Sequence, residues 1–369
     1  MLLDMLAREG GGAEVFTTSL AIHLPRDRFD VRFCVTRRAE GFLAEELDRE
    51  GIPRVVLGRR GRLDVLPFRR LRRYLRDERI DVLHTHLFGS NLWGSIVGRS
   101  AGVPVVVAHE HTWSFQGHPE RKFLDRNVIG RFADAFVAVS SLEGERMVTL
   151  EKVPAEKVVV IPPAFLPRPE GEHTDLRAEL GIPADAPVVG TAVVLRAQKA
   201  LDVAIDAFAL LLRDVPDAHL VLAGDGPCRR SWERHAMERG VEARVHFIGP
   251  RSDIVGVIRA LDVATLSSDY EGTPVFLLES MAYGTPVVAT DVGGVRDLMG
   301  DRAVLVPPRD PAALGAGYRE LIQDPARAES LARAARERVD EYRIERIAER
   351  VGELYEKLLR SANAHRNGA

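Results

Sequence analysis

The sequence predicts an α/β protein with two domains, each built on a parallel sheet. Short runs rich in β-branched residues alternate with longer helical patterns, first over residues 31–139 and again over residues 188–289. These runs are apolar without clean alternation, which is typical of parallel strands covered on both faces. The length of 369 residues also fits two domains of ordinary size.

The predicted strands fall into two series separated by a proline-rich segment. The first series is 31–35, 54–57, 81–85, 103–108 and 135–139, and the second is 188–194, 219–223, 244–248, 262–266 and 285–289. Residues 161–171 read IPPAFLPRPEG, and prolines at this density prevent regular structure. We therefore predict an N-terminal domain over 1–163, a second domain over 164–345 and a C-terminal helix over 346–369 that ends in a disordered tail, SANAHRNGA.

Composition excludes several classes of protein. Hydrophobic residues make up 46% and charged residues 28%, which excludes a disordered chain, and a net charge of -3 argues against a nucleic-acid partner. Cys34 and Cys228 are too far apart in sequence to form a disulfide framework. No apolar run approaches the roughly 18 residues that span a membrane, and the charged N-terminus does not resemble a signal peptide. We expect a cytoplasmic location.

The strongest functional signal is the segment 262–294, which reads DVATLSSDYEGTPVFLLESMAYGTPVVATDVGG. It predicts a strand, a polar loop and a helix over 274–283, with Pro274 at the start and Gly284 just past the end. Ligands in parallel sheets bind beyond the carboxyl ends of the strands, and the free N–H groups of a helix N-terminus suit a phosphate. Glu271 lies at that end, and Glu279 lies deeper, where it suits a sugar hydroxyl. Taken alone, two glutamates at this spacing are better explained as surface charge.

The whole segment resembles the E-x7-E motif of retaining glycosyltransferases of family 4. Upstream, Arg196 and Lys199 follow a predicted strand, where two cations can both reach one diphosphate. They resemble the family's R-x-x-K-G segment, although Ala200 replaces the usual glycine. Further similarities are found in LAGDGP at 222–227, VHFIGPR at 245–251, the GGxE-like loop that includes Gly12, and the His111-Thr112 fragment.

The resemblance implies the GT-B fold, in which two Rossmann-like domains face a central cleft and the last helix returns to the first domain. It also implies transfer of a sugar, with retention, from a nucleoside-diphosphate-sugar donor to a glycan or lipid-linked acceptor in cell-envelope glycan biosynthesis. Arg196 and Lys199 would stabilise the departing diphosphate, Glu271 would hold the donor sugar, and His111 would orient the sugar and the acceptor. The implied donor-binding residues are Gly12, Gly249, Arg251, Gly272, Thr273, Pro274, Val275, Phe276 and Glu279. Neither a metal nor a bound cofactor is expected, and the donor base stays open among UDP, GDP and ADP.

Two pairs of histidines support a competing hypothesis. His84 and His86, and likewise His109 and His111, are two apart at predicted strand ends, so each pair faces one way. With Glu110 they could form the metal site of a metal-dependent hydrolase. We favour packing at strand ends for His84 and His109 and leave His86 open. Two further hypotheses are a nucleotide-sugar epimerase of the GT-B type and a non-catalytic protein that binds nucleotide-sugars.

The region Arg59–Arg79 is rich in arginine. On a helical projection Phe68, Leu71 and Leu75 share one face, and arginines cover the other. A basic amphipathic helix of this kind can lie on an anionic membrane. A solvated helix face is the favoured interpretation, and peripheral contact with the inner face of a membrane is the second interpretation.

Overall fold

In the computed structural model the chain divides into two compact units. Unit 1 comprises Met1–Leu166 together with Arg343–Ala369, and unit 2 comprises Pro167–Tyr342. Each unit contains a sheet in which every described strand pair is parallel, which confirms the predicted α/β class. The structure describes residues 1–6, 12–61, 64–111, 119–167 and 173–367.

Unit 1 is built on a seven-stranded sheet in the order β3-β2-β1-β4-β5-β6-β7. Its strands are β1 (Leu2–Leu3), β2 (Phe33–Val35), β3 (Arg54–Val56), β4 (Val82–His86), β5 (Val105–His109), β6 (Ala135–Ala138) and β7 (Val158–Val160). The interior strand β5 is buried along its whole length, as expected for a parallel strand that is covered on both faces. The strand order reverses between β1 and β4, so this is the topological switch point of the sheet.

Helices connect the strands of unit 1. They are α1 (Gly12–His23), α2 (Phe42–Arg49), α3 (Leu66–Asp77), α4 (Phe88–Ala101), α5 (Pro119–Leu124), α6 (Gly130–Phe132) and α7 (Ser141–Thr149), with a π-helical turn at Asp125–Ile129. In α3, Phe68, Leu71 and Leu75, which the sequence predicts on one helix face, are buried in the core of the unit. The apolar face of this helix is therefore already covered, and its arginines form the outer face.

Unit 2 repeats the architecture with a six-stranded sheet in the order β10-β9-β8-β11-β12-β13. Its strands are β8 (Val188–Ala192), β9 (His219–Ala223), β10 (Val245–Gly249), β11 (Val263–Leu266), β12 (Val287–Thr290) and β13 (Val304–Val306). Its helices are α8 (Leu176–Leu180), α9 (Leu201–Leu211), α10 (Arg229–Glu238), α11 (Ile254–Arg259), α12 (Val275–Tyr283), α13 (Val295–Met299), α14 (Pro311–Gln323) and α15 (Pro325–Val339). The switch point lies between β8 and β11.

The last helix, α16 (Ile344–Asn367), packs in unit 1, where Ile347, Val351 and Tyr355 join the main hydrophobic cluster. The prediction of a disordered tail from residue 361 is wrong for residues 361–367, which continue this helix. The face of α16 that packs against the hydrophobic cluster extends beyond residue 361, because Ala362 also contacts that cluster. Within the described part of the chain, none of the helices has the length and apolarity needed to cross a membrane.

Candidate active site

The switch point of unit 2 brings together the two loops that carry the predicted cations and carboxylate. Strand β8 leads into the loop with Arg196 and Lys199, and its neighbour β11 leads into the loop with Glu271. Because neighbouring parallel strands end at the same edge of the sheet, both loops lie at one ligand-binding edge.

A buried ion pair forms the centre of this edge. The Nζ atom of Lys199 lies 2.5 Å from Oε1 of Glu271, and the hydroxyl of Ser268 donates to the same oxygen at 2.5 Å. The lysine side chain is 16% exposed and the glutamate 7% exposed. A carboxylate that accepts from a cation and a hydroxyl in such a poorly hydrated position is fixed in orientation.

Three hydrogen bonds to backbone carbonyls join the two loops to each other. The amide of Asp269 donates to the carbonyl of Gln198 at 2.8 Å, and the Gln198 side chain donates to the carbonyl of Tyr270 at 3.0 Å. The hydroxyl of Ser267 donates to the carbonyl of Lys199 at 2.9 Å. The positions of Lys199 and Glu271 therefore depend on both strands.

A third segment, the turn after β12, packs against the loop that carries Glu271. Gly293 has φ +54°, and a Cβ atom there would lie 1.7 Å from the carbonyl oxygen of Glu271. Only glycine tolerates both the positive φ and the close approach of the Glu271 carbonyl at this position. The amide of Gly294 donates to the carbonyl of Gly272 at 2.8 Å. Sequence reasoning missed Ser268 and Gly293 as site residues, although both lie within the segment that carried its strongest signal.

The N-terminus of α12 faces the same edge. The sequence predicts this helix over 274–283, and the structure begins it at Val275 with Pro274 as its N-cap. The N-cap residue is a proline, whose side chain accepts no capping hydrogen bond, and the positive end of the helix dipole at this terminus suits an anion. Gly272 and Thr273 lead into it, and Phe276 is buried.

The remaining predicted residues of unit 2 occupy different environments. Glu279 is buried on α12, and Arg196 is exposed and forms no ion pair with the described residues. Arg251 pairs with Glu179, with one N–O distance of 3.0 Å. Gly249 ends β10 in the left-handed region (φ +71°), and its carbonyl accepts a hydrogen bond from Gly224 at 2.7 Å.

Ala200, which stands where the resemblance predicts glycine, also has left-handed backbone geometry, with φ +46° and ψ +45°. This conformation costs a residue with a Cβ atom about 1 kcal/mol relative to glycine. The methyl group is fully buried in the core of unit 2, and its contacts offset part of that cost. The substitution therefore leaves the turn that presents Lys199 intact.

In unit 1 the four histidines form one cluster at the carboxyl ends of β4 and β5. His86 Nδ1 lies 3.0 Å from His111 Nε2, and His84 Nδ1 lies 2.6 Å from the hydroxyl of Tyr355. The rings of His109 and His111 stack with centroids 4.3 Å apart. Burial lowers the pKa of His111 to about 3 and that of the other three well below the usual range, so all four rings are neutral at neutral pH.

Ring nitrogens of His84, His86 and His109 all lie within 4.8 Å of one another, so these three side chains could hold a metal ion. The carboxylate of the metal-dependent hydrolase hypothesis is not part of this group. Glu110, the carboxylate that this hypothesis requires, instead lies 2.9 Å from the guanidinium of Arg121. Burial raises the pKa of Glu110 to about 8, although the guanidinium opposes the shift.

The glycine-rich loop is described only at its end, where Gly12 begins α1. Gly10 and Gly11 lie outside the described residues, as do Thr112, part of the linker at 168–172 and residues 62–63 of the arginine-rich region.

Both halves of the chain match models of known protein families. Residues 10–165 match the family model Glycosyltransferase Family 4, and residues 172–338 match Glycosyl transferases group 1. An alpha-D-kanosaminyltransferase from Streptomyces kanamyceticus is 30% identical over 359 residues, covering 90% of this chain and 92% of that protein. A D-inositol 3-phosphate glycosyltransferase from Thermobispora bispora is 29% identical, covering 96% and 87%.

Solved structures of similar fold cover nearly the whole chain. Anabaena HepE in complex with UDP has a TM-score of 0.83 at 23% identity and covers 96% of this chain and 99% of that one. Sucrose-phosphate synthase from Thermosynechococcus elongatus has a TM-score of 0.77 at 22% identity, covering 98% and 100%. These likenesses confirm the GT-B fold.

Proposed function

The chain belongs to the glycosyltransferases of family 4, and we propose that it transfers a sugar from a nucleoside-diphosphate-sugar donor with retention at the anomeric carbon. The proposed acceptor is a glycan or lipid-linked glycan of the cell envelope, and the reaction needs no metal. The observation that carries the proposal is the Lys199–Glu271 pair at the same edge of the sheet as the N-terminus of α12.

This arrangement suits the departure of a diphosphate. As the bond to the sugar breaks, negative charge develops on the β-phosphate, and fixed positive groups at that point lower the barrier. Lys199, Arg196 and the first turn of α12 are such groups, and they supply the charge that a metal ion supplies in metal-dependent transferases.

We assign the remaining site residues to the sugar, the ribose, the base and the acceptor. Glu271 accepts hydrogen bonds from hydroxyls of the donor sugar, and Glu279 does the same for the ribose. Gly249 and Arg251 lie beside the base, and His111 orients the sugar and the acceptor. We infer a same-face attack guided by the leaving phosphate, because we assign the role of a nucleophile to none of the carboxylates that the structure describes.

UDP is the first donor nucleotide to test, followed by GDP and ADP. Anabaena HepE, which shares the fold, was crystallised with UDP and with UDP-glucose. We also propose a cytoplasmic location. The arginines of α3 are proposed to be a solvated face, with membrane contact as the second hypothesis, and two of them already donate to backbone carbonyls at the end of α4.

The proposal is tested by thermal unfolding with UDP, GDP, ADP and NAD, each with and without EDTA. A ligand at a hundred times its dissociation constant adds about 2.7 kcal/mol of stability. We expect stabilisation by one nucleoside diphosphate, unaffected by EDTA and lost in Glu279→Ala. The absence of stabilisation by any nucleoside diphosphate would overturn the donor site, and destabilisation by EDTA would contradict metal independence. NMR of the anomeric proton of a product tests retention.

A further inference from the structure

The proposed catalytic histidine is held by a second histidine whose role the sequence left open. His86 ends β4 and is fully buried, and its Nδ1 lies 3.0 Å from Nε2 of His111. Each neutral imidazole carries one N–H donor and one acceptor nitrogen. One ring therefore donates to the other, and the direction of this bond decides whether the second nitrogen of His111, Nδ1, carries a proton.

The surroundings of His86 decide the direction. Its other nitrogen, Nε2, is buried and has no hydrogen-bond partner among the described residues. A buried N–H group without an acceptor is rarer in proteins than an unpaired acceptor, because burying it costs the full desolvation penalty of a donor. The proton of His86 is thus best placed on Nδ1, where it is donated to Nε2 of His111.

The same assignment fixes the tautomer of His111. With Nε2 accepting from His86, the ring proton lies on Nδ1, which makes no hydrogen bond within the described part of the chain. The plane of the ring is also set, because His109 stacks on it at 9° and Phe16 contacts it edge-on with centroids 5.4 Å apart.

The cluster is anchored on its far side. His84 lies against His86 with ring centroids 4.2 Å apart, and its Nδ1 lies 2.6 Å from the hydroxyl of Tyr355 on α16. All of these groups belong to unit 1. His86 is therefore packed between an anchored ring and the ring that it orients.

We propose that His86 is a positioning residue, which donates Nδ1–H to His111 and so presents Nδ1–H of His111 to the substrate as a hydrogen-bond donor. The proposal rests on the proposed glycosyl transfer and adds that His111 acts as a donor of a hydrogen bond and not as a base. It also gives the second histidine of the His84-x-His86 pair a function other than metal binding.

The direct test reads the tautomer by NMR on the full chain labelled with 15N-histidine, without any ligand. Long-range proton–nitrogen correlations distinguish a protonated ring nitrogen from an unprotonated one, and His111→Gln assigns the signals. We expect His111 protonated at Nδ1 and His86 protonated at Nδ1 at pH 7. A His111 protonated at Nε2 would overturn the proposal, whether or not the enzyme is active.

A kinetic test uses UDP release from UDP-glucose in three variants. His86→Asn keeps a donor near the Nδ1 position, His86→Leu removes it, and Tyr355→Phe removes the anchoring hydroxyl on the far side. We expect kcat to fall about 5-fold in His86→Leu, which is the usual worth of one hydrogen bond, and to recover largely in His86→Asn. UDP affinity should stay within about twofold, because the groups proposed to bind the nucleoside diphosphate belong to unit 2.

The outcomes separate the two proposals. If wild-type protein neither binds UDP, GDP or ADP nor cleaves UDP-glucose, the proposed function fails while the NMR result still decides the tautomer. If wild-type protein is active and His86→Asn is as slow as His86→Leu, His86 acts through packing alone and the positioning role is wrong. Equal kcat in wild type and His86→Leu would have the same meaning.

Discussion

Replacing Lys199 by methionine separates the two effects that this residue should have, on stability and on catalysis. Methionine keeps most of the length of the side chain and removes its charge. The change leaves the Glu271 carboxylate, 7% exposed, with the Ser268 hydroxyl as its remaining side-chain donor among the described contacts. A buried carboxylate that has lost its cation is destabilising because water cannot replace the lost charge.

The structure allows the size of both effects to be worked out. Removing one partner of a buried ion pair costs about 3–5 kcal/mol, and we expect the lower end, about 3 kcal/mol, because Ser268 still donates and Lys199 is partly exposed. In a unit of this size that lowers Tm by roughly 6–12 °C. If Lys199 also stabilises the departing diphosphate, kcat should fall by about 10²–10³, as for the loss of an oxyanion-hole donor.

The assays are calorimetry for Tm and UDP release from UDP-glucose for kcat. The double variant Lys199→Met with Glu271→Gln leaves no unpaired charge, so it should regain most of the lost Tm but none of the lost kcat. Lys357→Met, at an exposed position on α16, is the matched control and should change stability by less than about 0.5 kcal/mol. A kcat within a few-fold of wild type in Lys199→Met would refute the diphosphate role, and an unchanged Tm would refute the energetics of the pair.

Three further substitutions test the surroundings of the two clusters. Gly293→Ala should cost at least about 2 kcal/mol more than Gly284→Ala and weaken UDP binding about tenfold by calorimetric titration, because both glycines have positive φ but only the first methyl would strike the Glu271 carbonyl. Burial raises the pKa of Glu110 to about 8, so the folded state holds a proton that the unfolded state loses near pH 4.5. The stability that this bound proton contributes is complete below about pH 4.5 and is lost as the pH rises through about 8, with a slope of at most about 1.4 kcal/mol per pH unit. In Glu110→Gln the urea midpoint of unfolding should therefore vary less with pH between about pH 5 and 9 than in wild type. Ala200→Gly should change stability little, by less than about 1 kcal/mol in a calorimetric measurement, because relief of the left-handed strain is offset by lost methyl burial and a more flexible unfolded chain.

The strands that the sequence predicts well are those whose burial dictates their composition. The predicted strand 219–223 coincides with β9, and 262–266 differs from β11 by one residue. The strands β7 and β13, which have three residues each and each form one edge of a sheet, were missed, whereas β3, an edge strand of the same length, was predicted as 54–57. A short edge strand buries little surface, so the apolar run that marks it in the sequence is weak.

The residues of the candidate site were easier to predict than their contacts. Lys199 and Glu271 were each singled out from a motif, but their direct contact depends on β8 and β11 being neighbours, although β9 and β10 lie between them in sequence. Strand order is a property of the whole sheet, and local sequence does not specify it. The contact of Gly293 with the Glu271 carbonyl involves the turn after a third strand, β12. It was missed because local sequence does not show that β12 is a neighbour of β11.

Strand order also explains why two unrelated side-chain clusters occur at corresponding places in the two units. In unit 2 the order reverses between β8 and β11, and the Lys199–Glu271 pair lies just beyond them. In unit 1 it reverses between β1 and β4, and His86 ends β4. At a switch point the connections leave toward opposite faces of the sheet, so a gap opens at the strand ends that short loops can line. One sheet lines this gap with an ion pair beside a helix N-terminus and the other with neutral imidazoles, so our proposals place an anion at the first gap and, at the second, an uncharged hydroxyl that accepts a hydrogen bond.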